Sequence, residues 1–340
     1  MKILIIGGTN FIGPFVVCHL VNMGHDVTLF HRGKTKTDVP RVSHIYGDRS
    51  RLKDFQSEFE KLSPDIVVDM ICYTESDARM LMNIFKGITQ RVVAISSMDV
   101  YRAYGVILGK ESGLESVPLR EDSAKRSSLY PFKDMPIRAL NAPADYEKIM
   151  VERVVMSDSN LLGTIVRLPM VYGENDPLNR LQPYLQRMDD SRSRIVLLDS
   201  LAKWRGSYGY VENIGYAIAL AATKDVGKGR IYHVAESETL SEGERVTKIG
   251  ELVGWKGKVV SLSKDKFPAD WNLPLNAEQD WFLDSTRIRQ ELGYREIVPL
   301  EEALKKTIEW ERNHPSNKMQ QLVAPWLLDY GTEDAVLKEL

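Results

Sequence analysis

A glycine-rich turn near the N-terminus constrains the fold of this chain more than any other stretch. The apolar run Ile3 to Ile6 leads straight into the turn and is typical of a strand buried on both faces of a parallel sheet. The next segment, 15–23, has helix length and stops at Gly24, and 26–30 predicts a second strand. This order predicts a dinucleotide site in which the turn and the helix N-terminus hold a pyrophosphate. The turn residues expected to contact the cofactor are Gly7, Gly8, Thr9, Asn10, Phe11, Ile12 and Gly13.

The turn departs from the commoner dinucleotide pattern at its middle glycine, which is replaced by Asn10. Asn tolerates left-handed backbone angles and can cap a helix, so we expect Asn10 to preserve the turn. A tight turn that binds no ligand is the alternative. The strand, turn and helix order favours the cofactor site.

The loop after the second strand carries basic residues where an NAD-selective turn would carry a carboxylate for the ribose hydroxyls. This loop begins His31-Arg32 and continues to Lys34. Arg32 and Lys34 could meet a 2′-phosphate, which favours NADP(H) over NAD(H), although a solvated basic loop would have the same composition. Asp48 ends the third predicted strand, from where its side chain can reach an adenine.

Five strands alternate with helices within the first hundred residues. This alternation predicts an α/β fold built on a doubly wound parallel sheet. The predicted helices are 15–23, 51–62 and 75–85, and the predicted strands are 3–6, 26–30, 42–48, 64–72 and 91–95.

Composition narrows the class of protein. The chain has 340 residues, and 45 basic against 47 acidic side chains give a net charge of −2. That balance argues against a broad nucleic-acid surface. No window approaches 18 uncharged apolar residues, so no membrane contact is expected. The first strand leaves no room for a signal peptide, which predicts a cytoplasmic location.

A bound metal is not expected. Cys18 and Cys72 are the only cysteines, and the six histidines are scattered without the spacing of metal ligands.

Motifs along nearly the whole chain match one known family. They are Gly7 to Gly13, Gly47-Asp48, Ser96-Ser97-x-x-Val100-Tyr101, Lys148-x-x-x-Glu152, Arg167 to Gly173, Tyr210 to Asn213 and Leu292-Gly293-Tyr294. With them the chain resembles the extended short-chain dehydrogenase/reductases, which include nucleotide-sugar epimerases and dehydratases. The resemblance implies a Rossmann-type domain, 1–173 plus 208–250, and a smaller C-terminal substrate-binding lobe, 174–207 plus 251–340. It also implies that Pro169 lies beside the nicotinamide.

The catalytic signature of that family is broken in this chain. In the family a Ser orients a Tyr, whose pKa is lowered by a Lys four residues later. Ser97 and Lys148 match the Ser and the Lys, but residue 144 is Ala, and Tyr146 lies only two residues before Lys148. On a regular helix, residues two apart point about 200° apart, so Tyr146 would not share the Lys148 face.

Three explanations of this break remain open. An irregular or late-starting helix could bring Tyr146 into the site, since Pro143 lies just upstream. Another donor, Tyr101, Asp99 or Tyr130, could replace it. The protein could also have kept the cofactor and lost the usual proton transfer. We take Ser97, Lys148 and Tyr146 as the catalytic candidates, and Lys148 holds the nicotinamide ribose in all three cases.

Two functions follow. The first is an NAD(P)-dependent oxidoreductase, epimerase or dehydratase acting at a carbinol or ketone of a nucleotide sugar or similar polyhydroxylated small molecule. The alternative is a cofactor-binding protein that acts in RNA binding or regulation, because the turn also resembles a divergent branch that includes chloroplast RNA-binding proteins.

Two segments extend beyond the usual family pattern. The stretch 117–143 predicts a lid or substrate wall, with a disordered linker as the alternative. The tail from Pro325 to Leu340 packs either on its own lobe or on a second subunit of a homodimer.

Overall fold

A computed structural model of the protein describes residues 1–35, 39–133, 142–271, 275–318 and 328–339. Its strands are β1 (Lys2–Ile6), β2 (Asp26–His31), β3 (Val42–Tyr46), β4 (Ile66–Asp69), β5 (Arg91–Ser97), β6 (Leu162–Leu168), β7 (Met170–Tyr172), β8 (Arg194–Leu198), β9 (Tyr208–Tyr210), β10 (Ile231–His233) and β11 (Lys258–Leu262).

The α-helices of the described residues surround these strands. They are α1 (Ile12–Asn22), α2 (Gln56–Leu62), α3 (Glu75–Phe85), α4 (Arg102–Ile107), α5 (Lys148–Val155), α6 (Gln182–Asp189), α7 (Asp199–Lys203), α8 (Val211–Thr223), α9 (Glu242–Val253), α10 (Thr286–Leu292), α11 (Leu300–Asn313) and α12 (Tyr330–Lys338). None of them has the length and apolar character needed to span a membrane.

A seven-stranded sheet forms the centre of the molecule, in the order β10-β6-β5-β4-β1-β2-β3. Every neighbouring pair in it is parallel. The chain runs outward from β1 through β2 and β3 and then returns to β4 on the other side of β1. The predicted doubly wound α/β fold is therefore confirmed, and its switch point lies between β1 and β4, where ligands of such sheets bind.

Alternate residues of β1 face two separate cores. Ile3 and Ile5 join the core beneath α1 and α8, whereas Leu4 and Ile6 join the core beneath α2, α3 and α5. The side-chain period of two sends neighbouring residues to opposite faces, which is why the whole run is apolar. Each large apolar side chain buried in this way contributes roughly 1.5–3 kcal/mol.

The helix predicted over 51–62 is wrong in its first half. A 3₁₀ helix, Arg49–Phe55, precedes α2, and Arg51 within it has φ −112° and ψ 23°. Asp48 caps this segment by accepting the Ser50 N–H at 2.9 Å, which starts the turn earlier than the apolar pattern indicates.

Two parallel strand pairs lie outside the central sheet. β7 pairs with β9, and β8 pairs with β11. The C-terminal helix α12 packs against the second pair, because buried Glu333 accepts the Val196 N–H of β8 at 3.3 Å, and Val336 and Leu337 pack against the cluster that contains Val196 and Leu262. Of the two positions open to the tail, the described part of it, 328–339, thus packs on its own chain.

Candidate active site

The glycine turn has the close backbone approach that a dinucleotide turn requires. Gly7 and Gly8 have φ of 90° and 84°, a region that side chains disfavour. A Cβ on Gly13 would lie 2.4 Å from the carbonyl carbon of Gly8, so α1 can approach the turn only with glycine at this position.

Phe11, and not Asn10, is the non-glycine residue of the turn with a positive φ. Phe11 precedes α1 with φ 48°, whereas the Asn10 carbonyl accepts the Gly13 N–H at 2.9 Å. No side chain caps α1 and its first turn has no acidic residue. Since the Gly13 N–H is used in the turn and Pro14 has none, the Phe11 and Ile12 N–H groups remain at this helix end for an anion such as a pyrophosphate.

Asp48 lies at the carboxyl end of β3, as predicted for an adenine contact. Its Oδ1 accepts both the Ser50 N–H at 2.9 Å and the Ser50 hydroxyl at 2.7 Å. These bonds, with the nearby charges of Arg32 and Lys34, hold the pKa of Asp48 below its usual value. The exposed carboxylate keeps Oδ2 for a further donor.

His31 is buried, and Arg32 beside it is exposed. The His31 Nδ1 accepts the Gly33 N–H at 3.2 Å, and its Nε2 lies 2.9 Å from Nδ1 of His44. Burial, followed by His44, lowers the pKa of His31. His31 thus fixes the loop, and Arg32 presents the charge.

Ser97 and Asp99 lie where β5 ends, close to the switch point. Ser97 is half-buried, and its Oγ accepts the Asp99 N–H at 3.2 Å. Asp99 is only 2% exposed, and its Oδ2 accepts the Tyr146 hydroxyl at 2.8 Å. The carboxyl end of the strand therefore holds an alcohol, a carboxyl group and a phenol in one cluster.

A late helix start brings Tyr146 into this cluster. α5 begins at Lys148, and Glu147 before it is extended, with φ −158° and ψ 98°. Tyr146 therefore precedes the helix, and the 200° separation expected for a regular helix does not apply. The centroid of its ring lies 5.5 Å from Nζ of Lys148.

Lys148 binds two main-chain carbonyls. Its Nζ donates to the Cys72 oxygen at 2.7 Å and to the Ile95 oxygen at 2.8 Å, and the residue is 3% exposed. Burial lowers the pKa of this ammonium group. Two of its three N–H donors therefore join the segment after β4 to β5.

The phenol of Tyr146 differs electrostatically from what the family resemblance implies. Burial, and then the adjacent Asp99 carboxylate, raise the pKa of Tyr146 well above its usual value, against a smaller opposing effect of Ser97. The resemblance requires a pKa lowered by lysine. The difference arises because the phenol is buried and lies against a carboxylate, while Lys148 donates to the two carbonyls.

Of the three other candidate proton donors, Tyr101, Tyr130 and Asp99, one contacts Tyr146. The hydroxyl of Tyr101 is buried between His233 and Arg167. Tyr130 is 40% exposed. Asp99 alone among the three hydrogen-bonds Tyr146.

Two residues of the cluster were not singled out from the sequence. The ring of Tyr73 lies 4.8 Å from Nζ of Lys148, and Nη2 of buried Arg126 lies 3.0 Å from Glu147. The position of Tyr73 just beyond β4 could have indicated it. Arg126 belongs to the predicted wall 117–143, of which 134–141 lies outside the described residues.

Pro169 is the last of the predicted cofactor contacts. Pro169 is buried between β6 and β7, and its Cγ would lie 3.1 Å from a Cβ on Gly209. Within the described ranges, no group of three His, Cys, Asp or Glu side chains is placed to hold a metal ion.

Comparison with known proteins adds a family match. The model of the NAD dependent epimerase/dehydratase family matches residues 3–235. Over 114 residues the chain is 32% identical to the chloroplast stem-loop binding protein of 41 kDa b from Arabidopsis thaliana, a match covering 29% of this chain and 30% of that protein. A putative UDP-glucose 4-epimerase from Methanocaldococcus jannaschii is 20% identical over 92% of this chain and 99% of its own length.

Solved structures share the fold. UDP-glucose 4-epimerase from Thermotoga maritima, with UDP-glucose, has a TM-score of 0.65 at 17% identity, covering 93% of this chain and 100% of that one. dTDP-glucose 4,6-dehydratase from Bacillus anthracis, in complex with NAD, has a TM-score of 0.65 at 15% identity, covering 92% and 97%.

Proposed function

The chain belongs to the NAD-dependent epimerase/dehydratase family, and from this premise we propose that it is an NAD(P)-dependent enzyme acting at a carbinol or ketone of a nucleotide sugar. The observation that carries the proposal is the cluster of Ser97, Tyr146 and Lys148 at the same carboxyl edge of the sheet as the uncapped N-terminus of α1. Hydride chemistry needs a dinucleotide and a proton-transfer group at the carboxyl ends of the strands.

The cofactor residues would divide into three groups. The turn 7–13 and the N-terminus of α1 would hold the pyrophosphate, and Asp48 would meet the adenine. His31 would keep its loop in place while exposed Arg32 meets a 2′-phosphate, which favours NADP(H). Lys148 would use its third N–H on the nicotinamide ribose beside Pro169. The nicotinamide supplies the hydride acceptor when bound.

Ser97 and Tyr146 would handle the substrate oxygen. Ser97 would hydrogen-bond that oxygen, and the Tyr146 hydroxyl would exchange a proton with it. A nucleotide-sugar substrate is supported by the two similar solved proteins, a UDP-glucose 4-epimerase and a dTDP-glucose 4,6-dehydratase. We also propose that 174–207 and 251–340 form the substrate lobe, joined by the pairing of β8 with β11.

A second candidate rests on the Arabidopsis relative, whose name describes stem-loop binding. Under that proposal the chain would keep the cofactor and bind RNA. A net charge of −2 opposes it. An RNA stem-loop titrated at increasing salt separates the two, because phosphate contacts predict a steep fall of affinity with salt, and the enzyme predicts no appreciable binding.

Two measurements test the enzyme. Calorimetry with NAD⁺, NADP⁺ and their reduced forms should detect binding, and lack of binding for all four would end the cofactor proposal. UDP-glucose and dTDP-glucose are then incubated with the protein and cofactor, and products are separated by chromatography. Turnover of either sugar nucleotide supports the proposal. Turnover of neither contradicts the proposed nucleotide-sugar substrate.

A further inference from the structure

Asp99 is an unusual partner for the phenol at the centre of the site. It is 2% exposed, and its Oδ2 accepts the Tyr146 hydroxyl at 2.8 Å. Its Oδ1 has no hydrogen-bond partner within the described residues, and the nearest cation, Nη2 of Arg126, stands 3.8 Å away. A buried carboxylate oxygen without a hydrogen-bond partner costs free energy of folding. Such a group in a folded protein calls for an explanation, and a catalytic role is one.

The cations around Asp99 are occupied by other groups. Arg126 forms two hydrogen bonds with the Glu147 carboxylate, at 3.0 and 3.3 Å. Lys148 donates to the carbonyls of Cys72 and Ile95. The strongest hydrogen bond to the Asp99 carboxylate is therefore the one from Tyr146, and the phenol has a proton acceptor directly behind it.

This arrangement reverses the usual logic of a tyrosine acid/base. A lysine beside a phenol would stabilise the phenolate, so that the phenol itself could hold or release the proton. A carboxylate behind a phenol disfavours the phenolate and instead offers the proton another position. Tyr146 can then receive one proton on its oxygen only as it passes its own proton on.

We propose that Asp99 is the proton acceptor behind Tyr146, so that the phenol relays the proton of the substrate alcohol to Oδ2 of Asp99. The proposal rests on the proposed function. When the alcohol is oxidised, its C–H bond gives a hydride to the nicotinamide and its O–H bond gives a proton to the Tyr146 oxygen. The Tyr146 proton moves to Asp99, the substrate C=O forms, and Asp99 becomes neutral while Tyr146 is unchanged. Reduction runs the same transfers backwards.

The groups facing Asp99 determine its pKa, and so the pH range in which it can accept a proton. Burial raises the pKa of Asp99, whereas Arg126, the hydrogen bonds from Tyr146 and Ser97, and Lys148 oppose that rise. The charge of Asp99 also acts on the nearby phenol of Tyr104 and contributes to raising its pKa. Accepting a proton neutralises a buried anion, which favours the transfer. Activity through this relay requires the ionised carboxylate, so it rises as pH increases through the pKa of Asp99.

The first experiment needs no substrate. Infrared difference spectra of the full chain against pH report the protonated carboxyl band of Asp99, which Asp99→Asn identifies by removing it. Tyr146→Phe should raise the midpoint of that band, because a donor to the carboxylate is lost. Tyr73→Phe is the matched control, since Tyr73 lies near Tyr146 but has no described bond to Asp99, and should leave the midpoint in place. An equal midpoint in wild type and Tyr146→Phe would show that Tyr146 does not donate to the Asp99 carboxylate, and would overturn the relay.

The second experiment incubates UDP-glucose or dTDP-glucose with the protein and cofactor and follows product formation by chromatography, because epimerisation and dehydration regenerate the oxidised nicotinamide. Asp99→Asn should lower kcat on the order of 10²-fold, the scale of a lost general base, and should remove the acid limb of the pH profile. Asp99→Glu should restore part of that limb, which a merely structural role would not do. Full turnover with an intact acid limb in Asp99→Asn overturns the relay. If wild type turns over neither UDP-glucose nor dTDP-glucose, the substrate proposal fails, and the infrared midpoints still decide whether Asp99 and Tyr146 are coupled.

Discussion

Glu152 and Arg167 form a buried two-point ion pair, with Oε1 2.7 Å from Nε and Oε2 2.8 Å from Nη2. The same carboxylate accepts the Ser96 hydroxyl at 2.7 Å and the Lys125 ammonium at 2.6 Å. It therefore joins α5, β5, β6 and the 117–133 segment directly beneath Ser97. The Glu152 carboxylate therefore links the elements that carry Ser97 and Lys148.

Glu152→Gln should destabilise the protein by about 3 kcal/mol, because it leaves the Arg167 charge buried without its partner. Chemical denaturation measures the change in the free energy of unfolding. Asp54→Asn is the control, since the Arg51–Asp54 pair is exposed and should change that energy by no more than about 0.5 kcal/mol. Equal effects of the two variants would contradict the prediction.

Acid should weaken this pair in a defined window. The bonds from Arg167 and Lys125 outweigh burial and lower the pKa of Glu152 from 4.5 to about 2. A lowered pKa means that the stabilisation is complete above pH about 4.5 and is lost as pH falls towards 2. The difference in unfolding free energy between wild type and Glu152→Gln should shrink across that range. A difference that stays constant with pH would show that Glu152 is not the group responsible.

Gly13→Ala should abolish dinucleotide binding, because its Cβ would lie 2.4 Å from the Gly8 carbonyl carbon. Calorimetric titration with NAD⁺ and NADP⁺ checks this, and a thermal melt records the accompanying loss of stability. Gly331→Ala, whose Cβ meets only the Asp329 carboxylate at 3.6 Å in α12, should bind as wild type does. If Gly13→Ala keeps the wild-type affinity for both dinucleotides, the turn is not part of the cofactor site.

Arg32→Ala should weaken NADP(H) more than NAD(H), by about 1–3 kcal/mol, the range for a charge-assisted hydrogen bond. Titration calorimetry with both cofactors measures the ratio. Arg51→Ala removes a similar exposed charge that already pairs with Asp54, and should leave the ratio unchanged. An equal loss for both cofactors would end the NADP(H) preference.

Tyr146→Phe should lower kcat on a turned-over sugar nucleotide by about 10²-fold or more, since the phenolic proton is lost while the ring remains. The affinity for the cofactor, measured separately, should stay near that of wild type. Tyr130→Phe alters a phenol that is 40% exposed and should retain turnover. If Tyr146→Phe retains turnover instead, Tyr130 or another residue of 117–143 becomes the donor.

The sequence predicted the sheet and the glycine turn because both depend on short-range patterns. The apolar run of β1, the glycines after it and Ser97 at the end of β5 all follow from periods and spacings that a single strand or turn imposes. Asn10 was expected to preserve the turn, and its carbonyl accepts the Gly13 N–H, whereas the positive φ of Phe11 was not predicted.

The position of Tyr146 could not be predicted from spacing, because contacts distant in sequence set it. The Glu147 N–H donates to the Tyr73 carbonyl at 3.0 Å, and its carboxylate accepts the Ile149 N–H at 2.9 Å. These bonds delay α5 to Lys148 and turn Tyr146 inward. Asp99 likewise owes its surroundings to Arg126, which is 27 residues away.

The two carbonyl bonds of Lys148 make this residue a spacer as well as a candidate ligand. One ammonium group sets how far the Cys72 carbonyl stands from the Ile95 carbonyl, and so sets the width between the chain beyond β4 and the end of β5. Shortening the side chain releases both carbonyls and lets that width relax. Losing Lys148 is thus expected to change the spacing of these two segments as well as to remove a buried charge.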